Sequence, residues 1–278
     1  MGDWLRGRLP EHVDVDGMLR SDRFVYQDGV PVRDRDAYRP HTFIWFHRDR
    51  REEPETPGEL HVIARDERIV VVDKPPFLST IPRGRHVAQS VVVKLRQRLG
   101  LPELCPAHRL DRVTSGLLVL TVERRWRGAY QQMFADRRVT KTYRALARLD
   151  PNLRLPMLVS NHLRKRPGAW QTEVVPDAPA NAETWIELEQ SIGGLGCYRL
   201  TPRTGRTHQL RVHLAGLRIP IVNDPLYPVV RDVDVDDFSE PLQLLASELA
   251  FTDPVDGVER RFRSVRGLPL GDAPPVAR

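Results

Sequence analysis

The sequence predicts an α+β fold, and three observations carry that prediction. Short runs of β-branched and aromatic residues recur along the chain and dominate it. Two segments, 87–99 and 124–137, instead place apolar residues three and four apart, the spacing of one helical face. Strand and helix do not alternate regularly, as a doubly wound parallel sheet would require. At 278 residues the chain is long enough for one large domain and a small one.

Residues 1–16 yield no element. Phe24-Val25-Tyr26 and Pro31-Val32 flank the turn Gln27-Asp28-Gly29, and Thr42–Phe46 reads as a further strand. A small β-rich appendage is expected here. Residues 49–59, DRREEPETPGE, form a charged, proline-rich linker. The main domain then opens with strands Leu60–Ala64 and Ile69–Val72. In the helix over 87–99, Val87, Val91, Val92, Leu95 and Leu99 share a face, and Gly100 stops it. An apolar strand follows at Leu117–Leu120. Trp126, Tyr130, Met133 and Phe134 mark the second helix and are read as core. Val139–Leu149 is a strand. Residues 150–182 are irregular, and their Leu163-Arg164-Lys165-Arg166 is equally a solvated loop or an RNA contact. Trp185–Ile192 alternates, turns at Gly193-Gly194 and returns over Cys197–Thr201 as a hairpin. A helix over Arg206–Ala215, an acidic exposed stretch at 231–241 and closing elements at Leu242–Phe251 and Glu259–Val265 complete the chain. The expected boundaries are 1–58 for appendage and linker, 59–266 for the main domain and 267–278 for a flexible tail.

Composition narrows the function. No apolar run is long enough for a membrane span, and the first residues lack a signal-peptide core, so a cytoplasmic setting is expected. Two cysteines, Cys105 and Cys197, are read as ordinary buried thiols. The formal charge of +6 favours a nucleic-acid partner without specifying one. The aspartates of 231–241 lack the glycine and terminal glutamate of a calcium loop, so no metal is expected.

The densest chemistry lies in residues 107–121, AHRLDRVTSGLLVLT. Asp111 stands between Arg109 and Arg112. It is either a structural ion pair at a strand entrance or a functional carboxylate. Neighbouring cations favour its ionised form, which suits a nucleophile or an electrostatic stabiliser and argues against a general acid. No second carboxylate can be placed beside it, and Thr114-Ser115-Gly116 is no nucleophile elbow. Lys141 and Tyr143 share one strand face, where a phenol can stack on a planar ligand. Arg203, Arg206, His208, Arg211 and His213 lie in an acid-free stretch. On a helix, Arg211 falls at the edge of the Leu210–Leu214 face and needs a carboxylate, for which Asp111 is the candidate. His208 is read as a positioning residue and His213 as structural.

These blocks together resemble the RluA-like family of RNA pseudouridine synthases, in its actinobacterial form. VVVDKPP at 70–76 is similar to the family's entry strand, HRLD at 108–111 to its catalytic block, KTYRA at 141–145 to its Lys-x-Tyr-x-Ala block, and GRTHQLRVHL at 205–214 to its third block. The likeness spans about residues 60–265. PPFLSTIPRG, after Lys74, departs from the family's usual Pro-x-Gly and His-Pro pattern. Residues 17–48 resemble at most a partial S4-type RNA-binding module.

The resemblance implies a mixed, mainly antiparallel central sheet with flanking helices and a catalytic cleft. It implies isomerisation of a uridine in structured RNA, ribosomal before transfer RNA, by a monomer without cofactor or metal. Asp111, Tyr143 and Arg211 are then the catalytic set: Asp111 acts on the ribose, Tyr143 stacks on uracil and assists loss of the C5 proton, and Arg211 holds Asp111. Arg109 helps fill the gap of the flipped base or holds a phosphate. His108, Arg112, Lys141, Arg206, His208, Arg83 and Arg85 support or bind RNA. Competing readings are a synthase fold retained for RNA binding alone, a hydrolytic N-glycosidase and a purely structural domain.

Overall fold

The computed structural model describes residues 1–46, 52–84 and 86–268. The chain divides into two compact units, Met1–Glu52 and the remainder from Glu53.

The first unit holds α1 (Gly2–Arg8), α2 (Val15–Arg20), β1 (Phe24–Tyr26) and β2 (Ile44–Phe46). The β-rich expectation is therefore corrected, since residues 1–20 carry two helices. Asp14 explains the second one: its carboxylate accepts the Gly17 N–H at 2.8 Å as an N-cap. Leu5, Met18, Leu19, Phe24, Tyr26 and Val32 close a small core. The expected turn at Gln27–Gly29 is present, with Val25 bridging Pro31.

The second unit holds β3 (His61–Arg65), β4 (Ile69–Lys74), α3 (Val91–Leu99), β5 (Cys105–Pro106), β6 (Ser115–Thr121), α4 (Arg124–Ala135) and β7 (Val139–Arg148). There follow β8 (Met157–Asn161), β9 (Leu163–Arg164), β10 (Glu173–Val174), β11 (Ala182–Ile192), β12 (Leu195–Pro202), α5 (Gln209–Gly216), β13 (Leu244–Thr252) and β14 (Glu259–Arg263). Ten strands form one sheet in the order β3-β4-β6-β13-β7-β12-β11-β8, with β5 on β6 and β14 on β13. β6 and β13 run parallel and the other pairs antiparallel, the mixed sheet expected.

β4 and β6 are buried along their whole length because helices cover both faces. Val70, Val72, Leu118 and Leu120 pack with Val91 and Leu95 of α3. Ile69, Val71, Leu117 and Val119 pack with Tyr130 and Met133 of α4. The α4 aromatics are thus core. α5 lies over β7, β11 and β12 through Leu210 and Leu214. Gly116 is required where β6 meets β13: its φ is 109°, and a Cβ would come within 2.6 Å of Ala246 N.

Three further expectations change. α3 starts at Val91 instead of Val87, because the carboxylate of Glu53 takes the N–H groups of Val87, Ala88 and Gln89 at 2.8–2.9 Å. That contact also binds part of the expected linker to the second unit. α5 starts at Gln209, with His208 ahead of it in left-handed backbone. In the expected tail, Leu268 is buried against Leu146, Cys197 and Leu245, and 269–278 lie outside the described residues. Cys105 is half-buried and Cys197 buried, and neither forms a disulfide. Among the described residues no helix is long and apolar enough to cross a membrane.

Candidate active site

Asp111 lies on the loop between β5 and β6, and the residues on both sides of it are pinned. On one side, the Thr80 hydroxyl donates to the Leu110 carbonyl at 2.8 Å and accepts the Leu110 N–H at 3.2 Å. On the other, the Lys74 ammonium donates to the Arg112 carbonyl at 3.1 Å. Lys74 is fully buried and also donates to the carbonyls of Pro75 and Leu78. Burial draws its pKa down to about 7, against the pull of Asp111. One buried cation therefore ties the loop after β4 to the loop that carries Asp111.

The Asp111 carboxylate is about one-third exposed, and its Oδ2 lies 3.5 Å from Arg211 Nη1. Arg211 is buried, as the first turns of α5 dictate. Its closest partner is Asp224, which the sequence did not announce, beside the expected pairing with Asp111. Nε donates to Asp224 Oδ2 at 2.8 Å and Nη2 to Oδ1 at 2.5 Å, a bidentate fork. Burial alone would lower Arg211, but the hydrogen bonds and charge of Asp224, with Asp111, leave it raised. Asp224 in turn accepts the N–H groups of Leu226 and Tyr227. Arg211 thus bridges a buried carboxylate and a partly exposed one.

Gln209 fixes the start of α5. Its amide donates to the Glu183 carbonyl and the Thr184 hydroxyl, both at 2.9 Å, and its oxygen accepts the Arg206 N–H. His208 Nδ1 lies 2.9 Å from the Tyr227 hydroxyl and Nε2 3.8 Å from Asp111 Oδ2. Burial lowers His208 to about 4 despite Asp111, so the ring is neutral near pH 7. His213 contacts Thr184 and Asn161 within the core.

Tyr143 is half-buried on β7 and packs against both the α3 and α5 cores. Burial raises its pKa, and Asp111 raises it further. The phenol therefore stays protonated, which disfavours the expected help with the C5 proton and leaves a flat face for stacking.

The remaining expected residues divide. His108 is a support: its Nε2 accepts the Val119 N–H, its ring stacks on Phe134 at 4.2 Å, and burial lowers its pKa to about 3. Arg112 packs over Phe77 and donates to the Phe77 carbonyl, so it clamps a loop. Arg109, Arg83 and Arg206 are exposed, and Lys141 is half-buried. Arg85 lies outside the described residues. Lys165, left open between loop and ligand contact, stands near the site. Burial lowers it, Asp111 opposes that, and Arg83 and Arg211 add to it. Its hairpin, β9 with β10, is latched at Thr172 to the Tyr227 hydroxyl. No described group of His, Cys, Asp and Glu residues is arranged to hold a metal ion.

Sequence reasoning missed Thr80, Lys74, Gln209, Asp224 and Tyr227. Asp224 stands in Asn223-Asp224-Pro225, a sequence that marks a turn and no ion pair, and nothing local marks Thr80. Lys74 and Gln209 sat inside recognised blocks without a separate role.

Comparison with known proteins bears on this geometry. The profile described as RNA pseudouridylate synthase matches residues 68–216. An uncharacterised RNA pseudouridine synthase of Haemophilus influenzae is 30% identical over 61% of this chain and 74% of its own. A protein named tRNA pseudouridine synthase C, from Vibrio parahaemolyticus, is 32% identical over 73% of this chain and 89% of its own. The solved structure of human RNA Pseudouridylate Synthase Domain Containing 1 superposes with a TM-score of 0.61 at 25% identity, covering 77% of this chain and 86% of that one.

Proposed function

The chain belongs to the RluA-like family of RNA pseudouridine synthases, and from that premise we propose that Asp111 acts on the ribose of a uridine flipped out of its RNA. The observation that carries this is the placement of Asp111, pinned at Leu110 and Arg112 and 3.5 Å from the buried Arg211. A carboxylate fixed in backbone and side chain has little freedom left to lose on reaching its transition state.

Uracil must leave C1′, turn and rejoin through C5. Asp111 either attacks C1′ or removes the C2′ proton to give a glycal. Deuterium at C2′ separates the two, since only the second route breaks that bond. Tyr143 offers its face to the uracil, and its protonated phenol leaves proton removal to Asp111 or water. Arg109, exposed two residues away, fills the space of the flipped base, for which unstacking costs a few kcal/mol. Uridines in loops and bulges of structured RNA are the cheapest targets. Ribosomal RNA is the first pool to examine and transfer RNA the second, since one relative is named for transfer RNA.

The test is nucleoside mass spectrometry of uridine-containing RNA treated with wild type and Asp111→Asn. Wild type should form pseudouridine. Asp111→Asn should form none while still binding RNA. Equal product from both would remove Asp111 from the chemistry, and RNA binding without product from wild type would leave a binding protein of synthase fold.

A further inference from the structure

A cleft of about 210 Å³ lies in the second unit, lined in part by Phe134, the ring on which His108 stacks. Its walls are the end of α4, the start of β7 and the loop before α5. Arg137, Lys141, Arg203 and Arg206 line it, and none of its lining residues is acidic. Arg203 has only a loose, exposed pairing with Glu183 at 3.7 Å, and Arg206 donates to the Asn181 carbonyl at 3.3 Å. Among the described residues, no carboxylate pairs with Lys141. Its ammonium is half-buried against the backbone of Gly205, where a Cβ would stand 3.5 Å from Nζ. Burial lowers its pKa with nothing offsetting the loss of water. Four cations around a concave space with no internal anion repel one another, and an external anion relieves that.

The place of the cleft identifies the anion. Lys141 is one strand repeat, ~7 Å, from Tyr143 on the same face of β7. That is within reach of a phosphate flanking a nucleotide stacked on Tyr143. We propose that this cleft seats an RNA phosphodiester next to the target uridine, with Lys141 as the inner contact and Arg206 and Arg137 at the rim. The proposal rests on the RNA-directed reading above and adds a second anchor outside the base pocket. Its effect is to fix which nucleotide of the strand reaches Asp111.

The experiment is equilibrium binding of a fluorescent pentauridylate to the full chain over a range of salt concentrations. Lys141→Gln should weaken binding about tenfold and flatten the slope of log affinity against log salt by about one. Arg206→Gln should do the same less strongly. As an exposed change it keeps the test available if Lys141→Gln fails to fold. Arg65→Gln, on the edge strand β3, removes a like charge far from the cleft and should change neither. Neutral methylphosphonate linkages should weaken binding to wild type more than binding to Lys141→Gln, which has already lost the inner contact.

Unchanged affinity and slope in both cleft variants would overturn the proposal, as would wild type failing to bind the oligonucleotide. Displacement by inorganic phosphate without any methylphosphonate effect would assign the cleft to a free anion and overturn the RNA assignment. Binding is read without turnover. A chain that makes no pseudouridine but keeps the Lys141 effect refutes the catalytic reading and leaves the cleft standing.

Discussion

Arg211 gives a two-pronged hydrogen bond to Asp224, at 2.8 and 2.5 Å, and meets Asp111 only at 3.5 Å. The buried fork sets the guanidinium in place, and the remaining edge faces Asp111. Asp224→Asn leaves Arg211 buried beside one distant carboxylate. Stability should fall by about 3 kcal/mol, the lower end for losing one member of a buried pair, and kcat should fall with it. Urea melts and single-turnover assays measure the two. A stable, fully active variant would show that the fork has no part in placing Arg211.

Thr80 holds Leu110 through both its donor and its acceptor. Thr80→Val keeps the shape and loses both bonds, costing about 1–3 kcal/mol for the unmet backbone groups. Because Thr80 acts through the Asp111 loop, kcat should drop while KM stays near wild type. Thr80→Ser restores the hydroxyl and should restore kcat. A fall in stability with kcat intact would leave Thr80 as scaffold only.

The Tyr143 phenol is held protonated by burial and by Asp111. Tyr143→Phe keeps the ring and should lose less than the ~100-fold that a proton-transfer group typically contributes. Tyr143→Ala loses the stacking face and should be far slower. Rates measured under single-turnover conditions decide this, and equal losses in both variants would point back to the hydroxyl.

His213 is buried, and its pKa is lowered by burial to about 4. Between pH 6.5 and 4 the unfolded chain binds a proton at this position that the folded chain refuses. Stability therefore falls as pH drops through that window and levels off below it, by up to about 1.4 kcal/mol per pH unit for this group. His213→Gln should flatten the acid limb of stability against pH by that amount. An unchanged limb would mean that His213 titrates normally in the folded chain.

Much of the fold was legible because its strands are patterned locally. β4 and β6 read as strands from unbroken apolar runs, and β11 with β12 from a Gly-Gly turn. Gly100 ends α3 in left-handed backbone as its position required. What escaped depended on distant partners. Glu53 shortens α3 from outside it, and Asp224 becomes the mate of Arg211 only after α5 has packed. Asp111, Tyr143 and Arg211 stood out in the sequence as candidates because each combines a charged or aromatic group with a buried element. Their contacts did not, because Thr80 and Lys74 reach Asp111 through backbone carbonyls, which carry no sequence signal.

The place of β13 has a consequence for the timing of assembly. The strand after Asp111 and the strand bearing Tyr143 are not neighbours. β13, from Leu244–Thr252, is inserted between them. Until that late segment has been synthesised and released from the ribosome, β6 and β7 have no common scaffold. The pairing closes a long loop, a slow event by contact order. A nascent chain arrested before Leu244 would hold Asp111, Tyr143 and Arg211 without the strand that joins β6 to β7. The side-by-side placement of the Asp111 loop and Tyr143 therefore waits on a strand that lies more than a hundred residues after Asp111 in the chain.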